Sequence, residues 1–189
     1  MLLQNIPGFI AKPKVEWVAA GFICLATLSS WSTSQAAQVT PLPITASTII
    51  VVPNHATYDV SNTTFIQGQD GLLHARAPFG SGGGCPLQST INSFWPSSSD
   101  SQMTLRKQFD LAAGVTGVRV LLSIDNDAVV VFNGTTVRSI VHEGCPTVDE
   151  IEVRIPDSLL IAGLNTLELQ VRDRGVESYV DLRVLAELP

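Results

Sequence analysis

The sequence predicts an all-β protein, an antiparallel β-sandwich or jelly roll, on three observations. From about position 103 onward, segments of five to eleven residues alternate apolar and polar side chains. The intervals between them are rich in Gly, Pro, Asn and Asp, the residues that make turns. No stretch carries the 3.6-residue apolar period of a long helix, and no long-period repeat is present. Short strands at this spacing bury their apolar faces by packing one sheet on another.

The N-terminal stretch stands apart from that pattern. Lys12 and Lys14 precede WVAAGFICLATL (17–28), and SSWSTSQAAQ (29–38) follows. A basic start, a 12-residue apolar core and a small-x-small site are the parts of a secretory signal peptide, with Ser34 and Ala36 at the −3 and −1 positions of a cut after Ala36. A retained membrane anchor is the alternative, but a spanning helix needs about 20 apolar residues. Ile23, rather than a small residue, precedes Cys24, which argues against a lipoprotein. Residues 37–46, with two prolines in QVTPLPITA (38–46), read as a linker, and 47–189 as one sandwich domain.

Each strand then follows in order. STIIVV (47–52) is β-branched. NHATYDVSNTTFIQGQDG (54–71) is polar and irregular, and LLHARAPF (72–79) is a second candidate strand. GSGGGCP (80–86) reads as a loop, and QSTINSFWPSSSDSQ (88–102) as turns broken by Phe94 and Trp95. MTLRKQFDL (103–111), VTGVRVLLSI (115–124), EIEVRI (150–155), NTLELQVRD (165–173) and SYVDLRVLAEL (178–188) alternate clearly. AVVVF (128–132) is continuously apolar, as in a strand buried on both faces or nearly so. Only PDSLLIAGLN (156–165) offers a helical turn.

Charge and cysteine usage narrow the setting. After position 36 there are 9 basic and 16 acidic residues, a net charge near −7. Nucleic acid and anionic lipid both call for a concentrated basic surface, so neither is an expected partner, and no membrane contact is expected of the mature chain. Cys85 and Cys145 each sit in a Gly-Cys-Pro tripeptide, and two cysteines in an exported chain are expected to pair. Free thiols or a metal pair are the rival readings, and His55, His74 and His142 are too scattered to complete a structural zinc site. The expected location is secreted, extracellular or periplasmic.

The second half also resembles the galactose-binding-like β-sandwich, the fold of many carbohydrate-binding modules. The residues that carry the likeness are the Asp-Asn turn, buried strand and Asn-Gly pair of DNDAVVVFNG (125–134), then Pro156 and LL-x-A-G-x-N-x-L-x-L-x-V (159–171). The resemblance spans about 103–186. It implies glycan binding by loops at one end or by a sheet face, a structural calcium in some members, and a pure spacer role in others.

Candidate site residues follow from chemistry. Asn133-Gly134 is a hairpin signal, because a type I′ turn needs positive φ at both central residues. Asp125, Asn126 and Asp127 sit where a strand must reverse, and Asx side chains cap such turns. Val130 stands where an EF-hand loop requires Gly, so a regular calcium loop fails. An irregular calcium site on Asp125, Asp127 and Asp181 is the functional reading, a pair of turns the structural one. In RDRGVES (172–178), Arg172, Asp173 and Arg174 form either a solvated hairpin or a polar loop that grips sugar hydroxyls. Trp95 is the candidate aromatic platform for a sugar ring, against a packing role in the core. Tyr58 and Tyr179 share that ambiguity. Asn62-Thr63-Thr64 and Asn133-Gly134-Thr135 match the glycosylation sequon.

No nucleophile elbow, zinc-protease helix or phosphate loop is present, so no catalytic residue is assigned. The expectation is an exported, non-catalytic, carbohydrate-binding-like module without a cofactor, apart from that calcium reading, whose partner is a cell-surface or matrix glycan. The alternative is a structural or adhesive exported domain that contacts proteins. A small secreted hydrolase is the third reading and needs two carboxyls facing across a cleft.

Overall fold

The alternating segments assemble into two six-stranded sheets packed face to face, a β-sandwich. The computed structural model describes residues 41–61 and 73–189. The expected signal segment 1–36, the first part of the linker and the Asn62-Thr63-Thr64 sequon lie outside the described residues. Among the described residues no helix is long and apolar enough to cross a membrane.

In chain order the strands are β1 (Thr48–Val52), β2 (Thr57–Ser61), β3 (Leu73–Arg76), β4 (Phe79–Ser81), β5 (Ser93–Phe94), β6 (Gln102–Leu111), β7 (Thr116–Asp125), β8 (Asp127–Phe132), β9 (Thr135–Val141), β10 (Ile151–Arg154), β11 (Gly163–Arg172) and β12 (Ser178–Glu187). One sheet runs β10-β7-β12-β4-β5, with β1 also paired to β12. The other runs β3-β2-β6-β11-β8-β9. Every pairing is antiparallel except β4 with β5.

The period-two pattern sets which residues meet in the middle. Val118, Val120, Leu122 and Ile124 of β7 and Val180, Leu182 and Val184 of β12 face Leu105 and Phe109 of β6 and Leu167, Leu169 and Val171 of β11. Phe132 and Phe109 meet in a tilted aromatic pair at 6.1 Å. AVVVF departs from the expectation of burial on both faces. Ala128, Val130 and Phe132 are buried, whereas Val129 and Val131 are half-exposed on the outer face. The segment 72–79 also divides. β3 joins one sheet and β4 the other, and the chain changes sheet at Ala77-Pro78. β2 and β9 were not legible as strands, because Thr, Ser and Asp interrupt their apolar positions. The helical turn expected in 156–165 is a single 3₁₀ turn, Asp157–Leu159.

The outer face of the β7–β12 sheet is covered rather than open. Arg119 is buried there and pairs with Glu187 at 2.8 Å. Thr48 and Arg119 bonds hold the Glu187 carboxyl down at about 2, the arginine contributing most. Arg119 also donates to the carbonyl of Pro43, so part of the expected linker straps this face.

At one end of the sandwich the Asn-Gly hairpin joins β8 to β9, with Asn133 and Gly134 at φ of 47° and 79°. Asn133 donates to Asn165 Oδ1 and to the Leu159 carbonyl, both at 2.9 Å, and accepts the Thr166 N–H. Asn165 is fully buried and closes the 161–165 turn through the Ile161 N–H and the carbonyls of Ile161 and Gly163. The A-G-x-N stretch is therefore a turn lock.

Candidate functional site

β8 and β11 run from the asparagine end to a second end built of charge. Asn126 is the sole residue between β7 and β8, and there the chain crosses from one sheet to the other. Three more segments gather around it: the glycine loop before Cys85, the 142–146 turn after β9, and the 173–177 loop, which joins β11 to β12 as a crossover between the sheets rather than the hairpin its sequence suggested.

Four ties hold these segments together. Cys85 and Cys145 form a disulfide across a sequence separation of 60, as expected of the two cysteines of an exported chain. Glu177 places its carboxylate on consecutive backbone N–H groups, at 3.3 Å from Gly83 and 3.0 Å from Cys85, with Gly84 between them. A Cβ at Gly84 would lie 2.5 Å from Glu177 Oε1, which is why the loop is glycine there. Arg174 clamps the 142–146 turn through Glu143 at 2.6 Å and the His142 carbonyl at 2.7 Å, and reaches Asp127 at 3.3 Å. Asn126 accepts the Arg174 N–H through its side chain and the His142 N–H through its carbonyl.

Between these ties lies an open depression of about 350 Å³, lined by Gly84, Cys85, Asp125, Asn126, Gly144, Cys145, Gly175, Val176 and Glu177. Val176 is 89% exposed and holds φ at 81°, a conformation rare for a β-branched residue. Burial first, then the neighbouring charges of Asp173 and Glu177, push the Asp125 carboxyl up to about 6, against the pull of His142 and Arg174. Asp173 is fully buried. Burial raises its pKa while the backbone N–H groups of Gly175, Ser98 and Arg174 pull it down, yet none reaches its oxygens with full hydrogen-bond geometry.

The residues singled out in the sequence are distributed unequally about this site. Arg174 is its main organiser. Asp173 lies beneath it, its backbone paired with Ser101 and Asp100. Arg172 turns away to pair with Asp100. Trp95, read as either a sugar platform or a core residue, is wholly buried in the core and presents no face to a ligand, which is the packing role. Tyr58 and Tyr179 are likewise buried. Burial, abetted by the charge of Asp181, drives the Tyr58 hydroxyl well above its ordinary range. The calcium set is not assembled either. Asp181 stands two register positions from Asp125 and accepts from Asn54 and the His55 N–H at 3.2 Å each, while Asp127 faces Arg174. Among the described residues no three His, Cys, Asp or Glu side chains converge as cation ligands would.

The carboxylate seat of Glu177 and the linking role of Asn126 were not foreseen. The available signal was GGGC itself: consecutive glycines beside a bridged cysteine present a row of backbone donors that an acidic side chain can fill.

No protein-family model matches the chain, and no curated protein matches it significantly. Solved structures do. A β-glucuronidase of an uncultured Clostridium shares 11% identity at a TM-score of 0.53, over 78% of this chain and 30% of that one. An FMN-binding β-glucuronidase from Faecalibacterium prausnitzii gives 14% and 0.51, over 75% and 23%. A β-D-glucuronidase of Dictyoglomus thermophilum gives 8% and 0.50, over 77% and 29%. The chain thus spans less than a third of the length of these structures, and the likeness is one of fold.

Proposed function

We infer that this chain is an exported, non-catalytic β-sandwich module of galactose-binding-like type that binds carbohydrate at its charged loop end. The observation that carries the reading is the depression between Asp125 and Glu177, a concave site whose rim of four segments is locked in advance by the disulfide, the Glu177 seat and the Arg174 clamp. Preorganisation of this kind lowers the cost of binding. A second support is the company the fold keeps. The chain resembles pieces of enzymes named for a sugar acid, and its short span of them suits an accessory module. The disulfide and the expected signal segment fit an oxidising compartment outside the cytoplasm.

Two carboxyl groups do line one depression, the feature a hydrolase requires. Glu177 is held in a structural seat by three backbone N–H groups rather than set across a cleft from a second free carboxyl, so binding is the better reading. The adhesive alternative draws on one observation, the burial of Trp95, which removes the stacking platform. A glycan-array screen of the oxidised full chain tests the choice. Reproducible binding to a defined glycan class supports the module. A blank array from folded protein transfers the site to a protein partner.

A further inference from the structure

The depression has a one-sided chemistry. Its lining side chains are two carboxyls, Asp125 and Glu177, one amide, Asn126, and the apolar surfaces of Val176 and the disulfide, with no Lys or Arg among them. The Asn126 amide is largely engaged, one of its two N–H groups donating to Asp125 and its oxygen accepting the Arg174 N–H, so it brings a single neutral donor against two carboxyls. The nearest guanidinium, Arg174, is directed at Glu143, Asp127 and the His142 carbonyl. Glu177 takes three N–H groups into a carboxylate with about four lone-pair positions, leaving room for one more donor. Buried Asp173 beneath the depression and Glu143, Arg174's partner beside it, place further carboxyls around the single guanidinium. A site with acceptors, surplus negative charge and an exposed apolar edge is complementary to a cationic donor on a partly apolar body.

We propose that the depression recognises a saccharide bearing a primary ammonium group, an amino sugar, in preference to a neutral or acidic one. This rests on the carbohydrate reading above and names its ligand class. The ammonium supplies three donors to Asp125 and Glu177, and the ring's C–H face lies against Val176 and the disulfide. A volume of about 350 Å³ stands at the small end of ligand pockets and suits a sugar unit better than an extended peptide. An acidic sugar meets like charge and an N-acetylated one loses the ammonium.

The test is isothermal titration of the oxidised full chain at pH 7 with a β-1,4-linked glucosamine tetramer and with its fully N-acetylated counterpart. The free amine form is expected to bind at least about tenfold tighter, the equivalent of 1.4 kcal/mol. Glu177→Gln, and independently Asp125→Asn, should erase that preference. Because the sugar amine itself gains protons below pH 7, the pH effect is read as a difference: between pH 7 and pH 5 the wild type should lose affinity several-fold relative to Asp125→Asn. Asp125 faces Asp173, Glu177, His142, Arg174 and, across the strand pair, Tyr179, and in that setting it is ionised at pH 7 and neutral at pH 5. Equal affinity for both tetramers, or preference for the acetylated one, overturns the inference and leaves the carbohydrate reading standing. If the folded chain binds no saccharide, or binds only a lysine-rich peptide, both fall.

Discussion

The two ends of the sandwich solve the same problem, closing strands at a boundary, with opposite chemistry. At the Asn133–Asn165 end, two neutral amides satisfy one another and the turn backbone, and the amide atoms of both find partners. At the Asp125–Arg174 end the turns are tied by carboxylates, a guanidinium and a disulfide. Buried polar atoms of Asp173, Asp127 and His142 are left there without a hydrogen bond. Turn closure alone needs nothing beyond the first solution. The surplus charge, the strained exposed Val176 and the concave surface at the second end are what a binding role accounts for.

The largest effect expected at either end is loss of the disulfide. Cys85→Ser should cost about 4 kcal/mol, read as a drop in urea midpoint, since the bridge closes a loop across a separation of 60 residues. An unchanged midpoint would mean that the Glu177 and Arg174 ties hold the charged end by themselves. At the other end, Asn165→Ala removes a buried amide and orphans turn groups, at about 3 kcal/mol in the same assay, with glycan binding retained by the protein that still folds. If binding vanished with the fold intact, the division of labour between the ends would be wrong.

The next prediction concerns pH. The folded-state pKa of Asp125 lies above the ordinary aspartate value, so the folded chain favours its protonated form. That contribution is full below about pH 4 and is lost as pH rises through about 6, so moving from pH 5 to pH 7.5 should remove about 1.4 kcal/mol. Asp125→Asn should flatten this part of the profile. Glu187 has the opposite sign, and its contribution is lost only as pH falls toward about 2, outside that window. The smallest effect is Val176→Gly. Relief of the left-handed valine should raise stability by ~1 kcal/mol while weakening ligand binding, which separates folding from function at one residue.

Much of the fold was legible because its cause is local. Alternation along β6, β7, β11 and β12 assigns a core face whatever the partner strand, and Asn133-Gly134 declares its own turn. Two cysteines left in a chain expected to be exported likewise pointed to the bridge. The site was less legible because it is assembled from segments up to 94 residues apart, as in the bond from Gly83 to Glu177. Trp95 shows the limit from the other side. A tryptophan in a Ser-rich stretch serves equally as a platform or as core, and only the packing of β4 and β5 against the core shows that it fills the interior. Asp181 resembled a calcium ligand for the same reason, until the turn at Asn54 and His55 proved to be its partner.

The most direct test of the division between the ends is one glycan array probed with three oxidised full-length proteins: wild type, Arg174→Ala at the charged end, and Thr136→Ala beside the Asn-Gly hairpin. Binding is expected of the wild type and of Thr136→Ala, and its loss in Arg174→Ala. A blank array from the folded wild type, or binding indifferent to Arg174, would contradict that division.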